Sequence, residues 1–193
     1  MSMYVTGDIL NDIETRFGTP EIGHFRHAMV KPEFELLEKS MKYNRAHDVT
    51  MFIFKGPGLV AIRKHMHPDG VCRAPSGGLR VGEDFEQGTL REAYEETGAL
   101  IELKRYVLRA HATFTYLDKE VEWTSHVLTA QYVSGKLRPI DTKEIAEVLE
   151  VSIEDLQGRI RDNLLATGSG GLEYRVALTD KVVEILRRDG DYP

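Results

Sequence analysis

The sequence is poor in cysteine and has no long apolar run. Cys72 is the only cysteine among 193 residues, which excludes a disulfide framework and any zinc or iron–sulfur site built from several cysteines. No stretch approaches the roughly 18 apolar residues of a membrane span. The first residues also lack the basic-then-apolar pattern of a secretion signal. We therefore expect no membrane partner and a cytoplasmic location.

The chain also lacks a basic excess. It has 25 Lys and Arg against 31 Asp and Glu, for a net charge of −6, and an acidic chain is poorly suited to binding a long phosphate backbone. Nucleic acid is therefore an unlikely partner. Small phosphorylated ligands stay open, because a bound divalent cation can reverse the local field. No repeat or low-complexity tract interrupts the chain, so its length predicts one domain, with or without an appendage.

Hydrophobic periodicity predicts a strand-rich centre flanked by helices. A helix is expected from Pro32 to about Tyr43, and a hairpin turns at Lys55–Gly58 between strands at 48–54 and 59–63. Further strands are predicted at 101–109, 111–117 and 121–133, followed by helices at 152–165, with Ser152 as N-cap, and at 173–188. The pattern is typical of an α+β fold or an α/β/α sandwich.

One segment groups acidic side chains. A helix is predicted over residues 84–97, ended by Gly98. One face carries Glu92, Glu95 and Glu96, and the opposite face carries Leu90, Ala93, Tyr94 and Thr97. Carboxylates at these spacings repel each other, which suggests a compensating partner, and clustered oxygen ligands suit Mg²⁺ or Mn²⁺. The alternative is an ordinary solvated acidic helix face.

The spacing around these glutamates resembles the Nudix box, G-x5-E-x7-R-E-U-x-E-E-x-G-U. Gly77 is followed by five residues, Glu83, seven residues and then the run from Arg91 to Ala99. Ala93 and Ala99 are small where a bulkier aliphatic residue is usual. The resemblance implies a Nudix-type α/β/α sandwich with a mixed central sheet at 46–157. A partly helical extension would precede it at 1–45, and a helical segment at 158–193 would pack on it.

The resemblance also implies an activity: Mg²⁺-dependent hydrolysis, with Mn²⁺ as a possible substitute, of a small nucleoside diphosphate derivative linked to another moiety. Carried over position by position, the metal ligands are Glu92, Glu95, Glu96, Glu83 and the Gly77 carbonyl. Arg91 resembles the arginine that pairs with the first glutamate of the box and orients its loop.

The general base and the substrate stay open. Glu92 within the box and Glu144, in a later acidic stretch that also contains Glu147, are both candidate bases. The tryptophan usual after that stretch is missing. Phe114 and Tyr116 either stack on a nucleobase or pack in the core, and the position of Tyr116 is one associated with dinucleoside polyphosphates in the family.

Two other functions compete with hydrolysis of a small nucleotide. One is a binding or regulatory module that kept the fold and lost catalysis, and the other is an RNA 5′-end pyrophosphohydrolase, which the acidic balance disfavours. The terminal helices could form a homodimer interface or cap the sandwich of a monomer.

Overall fold

The computed structural model describes residues 4–191, in which a seven-stranded mixed sheet is covered by helices on both faces. The strands are β1 (Glu21–Ala28), β2 (His47–Lys55), β3 (Gly58–Lys64), β4 (Ser76–Gly77), β5 (Ala99–Tyr116), β6 (Lys119–Gly135) and β7 (Ile145–Val151). The helices are α1 (Gly7–Phe17), α2 (Lys31–Ser40), α3 (Phe85–Thr97), α4 (Ile153–Gln157), α5 (Arg159–Ala166) and α6 (Gly170–Asp189). The predicted α+β sandwich is confirmed.

The neighbouring strands β2 and β3 pair with each other only next to the turn that joins them. The order of the sheet is β1-β5-β6-β2-β3-β7, and the last residues of β2 pair with β3 at the predicted hairpin. The first half of β2 pairs instead with β4, through Val49 to Gly77 and Thr50 to Ser76. The segment before β4 therefore enters between β2 and β3, and the Met51 amide donates to the Pro75 carbonyl at 2.9 Å. This insertion brings Gly77 beside helix α3.

Two apolar cores lie on opposite faces of the sheet. Along β2, Val49 and Met51 face the core beneath α1 and α3, and Phe52 and Phe54 face the core beneath α4, α5 and α6. A strand buried on both faces reads as a continuous apolar run, which is how the sequence at 48–54 was interpreted. None of the helices formed by residues 4–191 is long and apolar enough to cross a membrane.

The chain departs from the predicted elements in three places. The two strands expected at 101–109 and 111–117 form the single strand β5, because Ala110 pairs with Ser125 of β6 and continues the strand through the expected break. The helix expected at 152–165 is divided at Gly158 into α4 and α5. The closing helix α6 begins at Gly170, three residues earlier than predicted.

The terminal segments are built into the sandwich. The extension, which the sequence analysis describes only as partly helical, also contains the strand β1, and all eight of its residues pair in parallel with β5. Helix α1 was not predicted, and it packs on β5 with Ile13 in the core. Helix α6 packs on β1 and β5. The extension at 1–45 therefore contributes an edge strand to the central sheet.

Candidate active site

Helix α3 carries the Nudix-like motif, and its ends lie within one residue of the predicted bounds. The Asp84 side chain caps the N-terminus by accepting from the Gln87 amide at 2.9 Å. At the other end Gly98 adopts a left-handed conformation with φ 70°, which glycine tolerates best. A Cβ at this position would also press on the backbone of Lys136 and Arg138. Both caps are local signals, which is why the sequence located the helix well.

The buried face of α3 is displaced from the predicted one. Its buried residues are Phe85, Gly88, Thr89, Ala93, Glu96 and Thr97. Tyr94 was expected on this face, and that prediction is wrong because the side chain lies beyond its edge and is 45% exposed. Glu96 was expected on the acidic face, yet it is only 4% exposed. The inserted strand β4 covers it, since the Ser76 amide donates to Glu96 Oε2 at 2.8 Å.

Arg91 compensates the repulsion between the glutamates. Its Nη1 donates to Glu92 Oε1 at 2.8 Å and to Glu95 Oε2 at 2.9 Å. Its Nε and Nη2 bond both oxygens of Glu83, at 2.7 and 2.8 Å. Hydrogen bonding by Arg91 lowers the pKa of Glu83, and the carboxylates raise the pKa of the Arg91 guanidinium. Arg91 therefore pairs with the first glutamate, as the resemblance implied, and holds two further carboxylates as well.

Within the Nudix box, one oxygen of Glu92, Oε2, and one oxygen of Glu96, Oε1, accept no hydrogen bond from residues 4–191. Glu92 lies against Gly77, where a Cβ would overlap its carboxylate. Burial raises the pKa of Glu96 to about 7, although Arg73 and Lys64 oppose the shift. Burial also raises the pKa of Glu92, against the influence of Arg91. The two carboxylates are thus incompletely neutralised by the protein.

The other predicted metal ligands lie differently. Glu95 is held between Arg91 and Arg80, with 3.2 Å between Arg80 Nη2 and Glu95 Oε1, and its side chain is 37% exposed. Oε2 of Glu83, which accepts from Arg91, also accepts a hydrogen bond from the Arg80 amide at 2.8 Å. Glu144 forms an ion pair with Lys64 at the start of β7. The structure therefore groups Glu92 and Glu96 most closely with Gly77.

A cavity of about 490 Å³ adjoins these carboxylates. Its charged and polar lining includes Gly77, Glu92, Glu96, Glu144, Lys64 and Arg73. Its aromatic lining includes Phe114, Trp123 and Tyr174, and the rings of Phe114 and Tyr174 meet edge to face at 5.2 Å. Tyr116 does not line this cavity, because its ring lies against Phe34 of α2 at 5.9 Å. The volume lies within the range typical of small-molecule sites.

Sequence analysis missed a group of charged residues around this cavity. Arg73 is buried, its Nη1 donates to Ser76 Oγ at 2.8 Å, and burial lowers its pKa to about 10. Arg175 of α6 donates to Asp48 Oδ2 at 2.6 Å, and both residues line the cavity. No local pattern could have paired them, since 127 positions separate Asp48 from Arg175.

Comparison with known proteins assigns the family. The model of the NUDIX domain matches residues 44–167. The chain belongs to the Nudix family. It is 30% identical over 117 residues to the "Putative mutator protein MutT4" of Mycobacterium tuberculosis, an alignment that covers 60% of this chain and 44% of that protein. The chain thus spans less than half the length of this curated relative.

Two solved Nudix structures share the fold. A NUDIX hydrolase from Nitrosomonas europaea superimposes with a TM-score of 0.53 at 19% identity, over 77% of this chain and 93% of that one. A MutT protein from Methanosarcina mazei Go1 also gives 0.53, at 18% identity, over 75% and 95% of the two chains. These likenesses support the sandwich architecture.

The donor set of the Nudix box fits a hard divalent cation chemically. Across residues 4–191, no group of three His, Cys, Asp or Glu side chains is already arranged to hold a metal ion. Glu92 and Glu96 nevertheless both line the cavity, each has one oxygen that accepts no hydrogen bond from residues 4–191, and hard cations prefer oxygen ligands. A nearby cation would also lower the raised pKa values of both carboxylates.

Proposed function

We propose that this protein hydrolyses the diphosphate bond of a nucleoside diphosphate linked to another moiety, in a reaction that depends on Mg²⁺. One observation carries the proposal. The lining of a single cavity contains both the incompletely neutralised carboxylates of Glu92 and Glu96 and the rings of Phe114, Trp123 and Tyr174. The carboxylates suit a cation that binds a diphosphate, and the rings suit a base or another flat group.

The residues divide into three roles. Glu92, Glu96 and the Gly77 carbonyl would hold Mg²⁺, or Mn²⁺ in its place, and Glu95 would join them from its pairing with Arg91. When bound, the ion neutralises phosphate oxygens and acidifies a coordinated water. Arg91 positions Glu83, Glu92 and Glu95. Glu144 is the candidate base that accepts the proton of the water, because it lines the cavity and Lys64 holds it there.

The experiment is a hydrolysis assay with Mg²⁺ on a panel that includes ADP-ribose, NADH, a dinucleoside tetraphosphate and 5′-triphosphorylated RNA. We expect turnover of a small nucleotide and a loss of roughly a hundredfold or more in Glu96→Gln, because a catalytic metal supplies several kcal/mol of transition-state stabilisation. The matched control is Glu86→Gln, which changes a glutamate of the same helix that pairs with Arg16 away from the cavity. This control should retain full activity.

The outcomes separate the competing functions. Full turnover by Glu96→Gln contradicts the metal-site assignment. Binding of panel members without any product, in Mg²⁺ and in Mn²⁺, shows a regulatory module instead of an enzyme. Turnover confined to the RNA shows a 5′-end pyrophosphohydrolase.

A further inference from the structure

Arg45 is a cation of the cavity that has no acidic partner. It lies in the connection of residues 41–46 between α2 and β2, and its Nε and Nη2 donate to the Ser40 carbonyl at the end of α2, at 3.3 and 3.0 Å. Two other cations that line the cavity are neutralised, Lys64 by Glu144 and Arg175 by Asp48. Arg73 has no carboxylate partner either, but its Nη1 already donates to the Ala74 carbonyl and to Ser76 Oγ. Within residues 4–191, no carboxylate lies within ion-pair distance of Arg45, and its Nη1 has no hydrogen bond.

The guanidinium of Arg45 lies against Gly78, in the glycine loop of the Nudix box. Its Nη1 occupies the space that a Cβ at position 78 would fill, so this position tolerates only glycine while Arg45 keeps its place. Gly78 directly follows Gly77, which lies against the Glu92 carboxylate. The unpaired cation therefore lies beside the loop that borders the candidate metal ligands, in the same cavity.

Arg45 also lies next to an aromatic residue of the cavity lining. Its guanidinium carbon is 5.9 Å from the centre of the Trp123 ring, and Trp123 is the only tryptophan of the chain. An arginine over an aromatic ring keeps its charge while its edge stays available for hydrogen bonds. The guanidinium thus lies against both Gly78 of the box and Trp123.

We propose that Arg45 binds the diphosphate group of the ligand, through Nη1, in the part of the cavity beside Gly78 and Trp123. Arginine suits phosphate because its planar, permanently charged group donates several hydrogen bonds in a fixed direction. The bond to Ser40 holds the group in place before the ligand arrives, which reduces the entropy lost on binding. This inference rests on the proposed function only in taking the ligand to be a diphosphate.

The test measures binding without turnover. Imidodiphosphate, a diphosphate analogue with a bridging nitrogen, is titrated into the protein by calorimetry in the presence of Mg²⁺. We expect Arg45→Gln to weaken the affinity by about tenfold or more, as for a lost hydrogen bond to a charged group, and Arg45→Lys to fall between. Arg159→Gln is the matched control, since Arg159 is an exposed arginine paired with Asp155 on α4 and does not line the cavity. It should bind like the parent protein.

A second variant tests the geometry while keeping the arginine. Gly78→Ala adds a methyl group where Nη1 lies, so it should weaken binding about as much as Arg45→Gln. The double variant should bind no more weakly than Arg45→Gln alone, because the displaced group is already missing. Circular dichroism and thermal midpoints confirm that each variant is folded.

Three results would overturn the inference. The first is that the parent protein does not bind imidodiphosphate. The second is that Arg45→Gln binds it with an affinity within twofold of the parent. The third is that the affinity losses of Arg45→Gln and Gly78→Ala add up in the double variant. Failure of the proposed function gives a different pattern, in which binding depends on Arg45 and no substrate of the panel is hydrolysed.

Discussion

The Nudix box and the terminal segments contribute to one cavity in opposite ways. In the box, interacting groups are near in sequence: Arg91 bonds Glu83 eight positions away and Glu95 four positions away. In the terminal segments they are remote: Glu33 of α2 accepts from the Gly170 amide of α6 at 3.3 Å across 137 positions. The carboxylates of the box are thus ordered by local contacts, and the terminal segments are held at the cavity by contacts between distant parts of the chain.

The prediction with the largest expected effect concerns the local contacts of the Nudix box. Arg91→Met leaves three carboxylates without their shared cation, at a site where the arginine side chain is 18% exposed. We expect the free energy of unfolding, from urea titration at pH 7 with EDTA, to fall by about 4 kcal/mol, in the range for removal of one partner from a buried ionic group. Arg80→Met is the control, because Arg80 contacts Glu95 from a 66% exposed position. Equal losses of unfolding free energy in Arg91→Met and Arg80→Met would contradict the assignment of Arg91 as the cation shared by the three glutamates.

The prediction with the next largest effect concerns a contact between residues that are remote in sequence. Arg175 ties α6 to β2 through Asp48, and their side chains are 18% and 6% exposed. Burial alone would raise the pKa of Asp48, but Arg175 and neighbouring groups outweigh it and the pKa lies below its usual value. Arg175→Met should therefore cost about 3 kcal/mol of unfolding free energy, because it leaves a buried charge.

Two further variants sharpen this prediction. Adding Asp48→Asn to Arg175→Met should recover more than half of the loss, since the uncompensated charge is gone. Arg161→Met removes another arginine that pairs with α6, through the more exposed Asp180, and should cost less than about 1 kcal/mol. A loss for Arg175→Met as small as that for Arg161→Met would show that the remote ion pair contributes little.

The smallest effect concerns His47, which lies under the N-terminal segment with its ring 5.2 Å from that of Tyr4. Burial lowers the pKa of His47 to about 4, against the opposing charge of Asp48. Below the ordinary pKa of 6.5 the unfolded chain therefore binds more protons than the folded one. The resulting loss of stability begins near pH 6.5 and continues down to about pH 4.

This linkage should remove about 2 kcal/mol of unfolding free energy between pH 7 and pH 5. We expect His47→Gln to lose about that much less over the same interval, because it lacks the titrating group. The measurement is a set of urea titrations at half-unit pH intervals. Parallel curves for the two proteins would contradict the buried neutral histidine.

Sequence reasoning succeeded where the deciding contacts were local. It placed α3 within one residue because Asp84 and Gly98 are cap signals inside the segment itself. It failed at β5, where Ala110 pairs with β6 and continues the strand through the expected break, and at β1, whose edge position depends on a partner strand about 87 positions later. Helical spacing also could not tell which of Glu92, Glu95 and Glu96 a neighbouring strand would cover.

The sequence by itself determined the family, the helix that carries the carboxylates and the sandwich architecture, because these follow from motif spacing, hydrophobic period and capping within short windows. Only the tertiary structure decided that Glu96 is buried beneath Ser76, that Arg91 is shared by three glutamates, and that Arg45 stands unpaired beside Gly78. The physical reason is burial. Whether a charge keeps its solvation or needs a partner depends on which distant segments cover it.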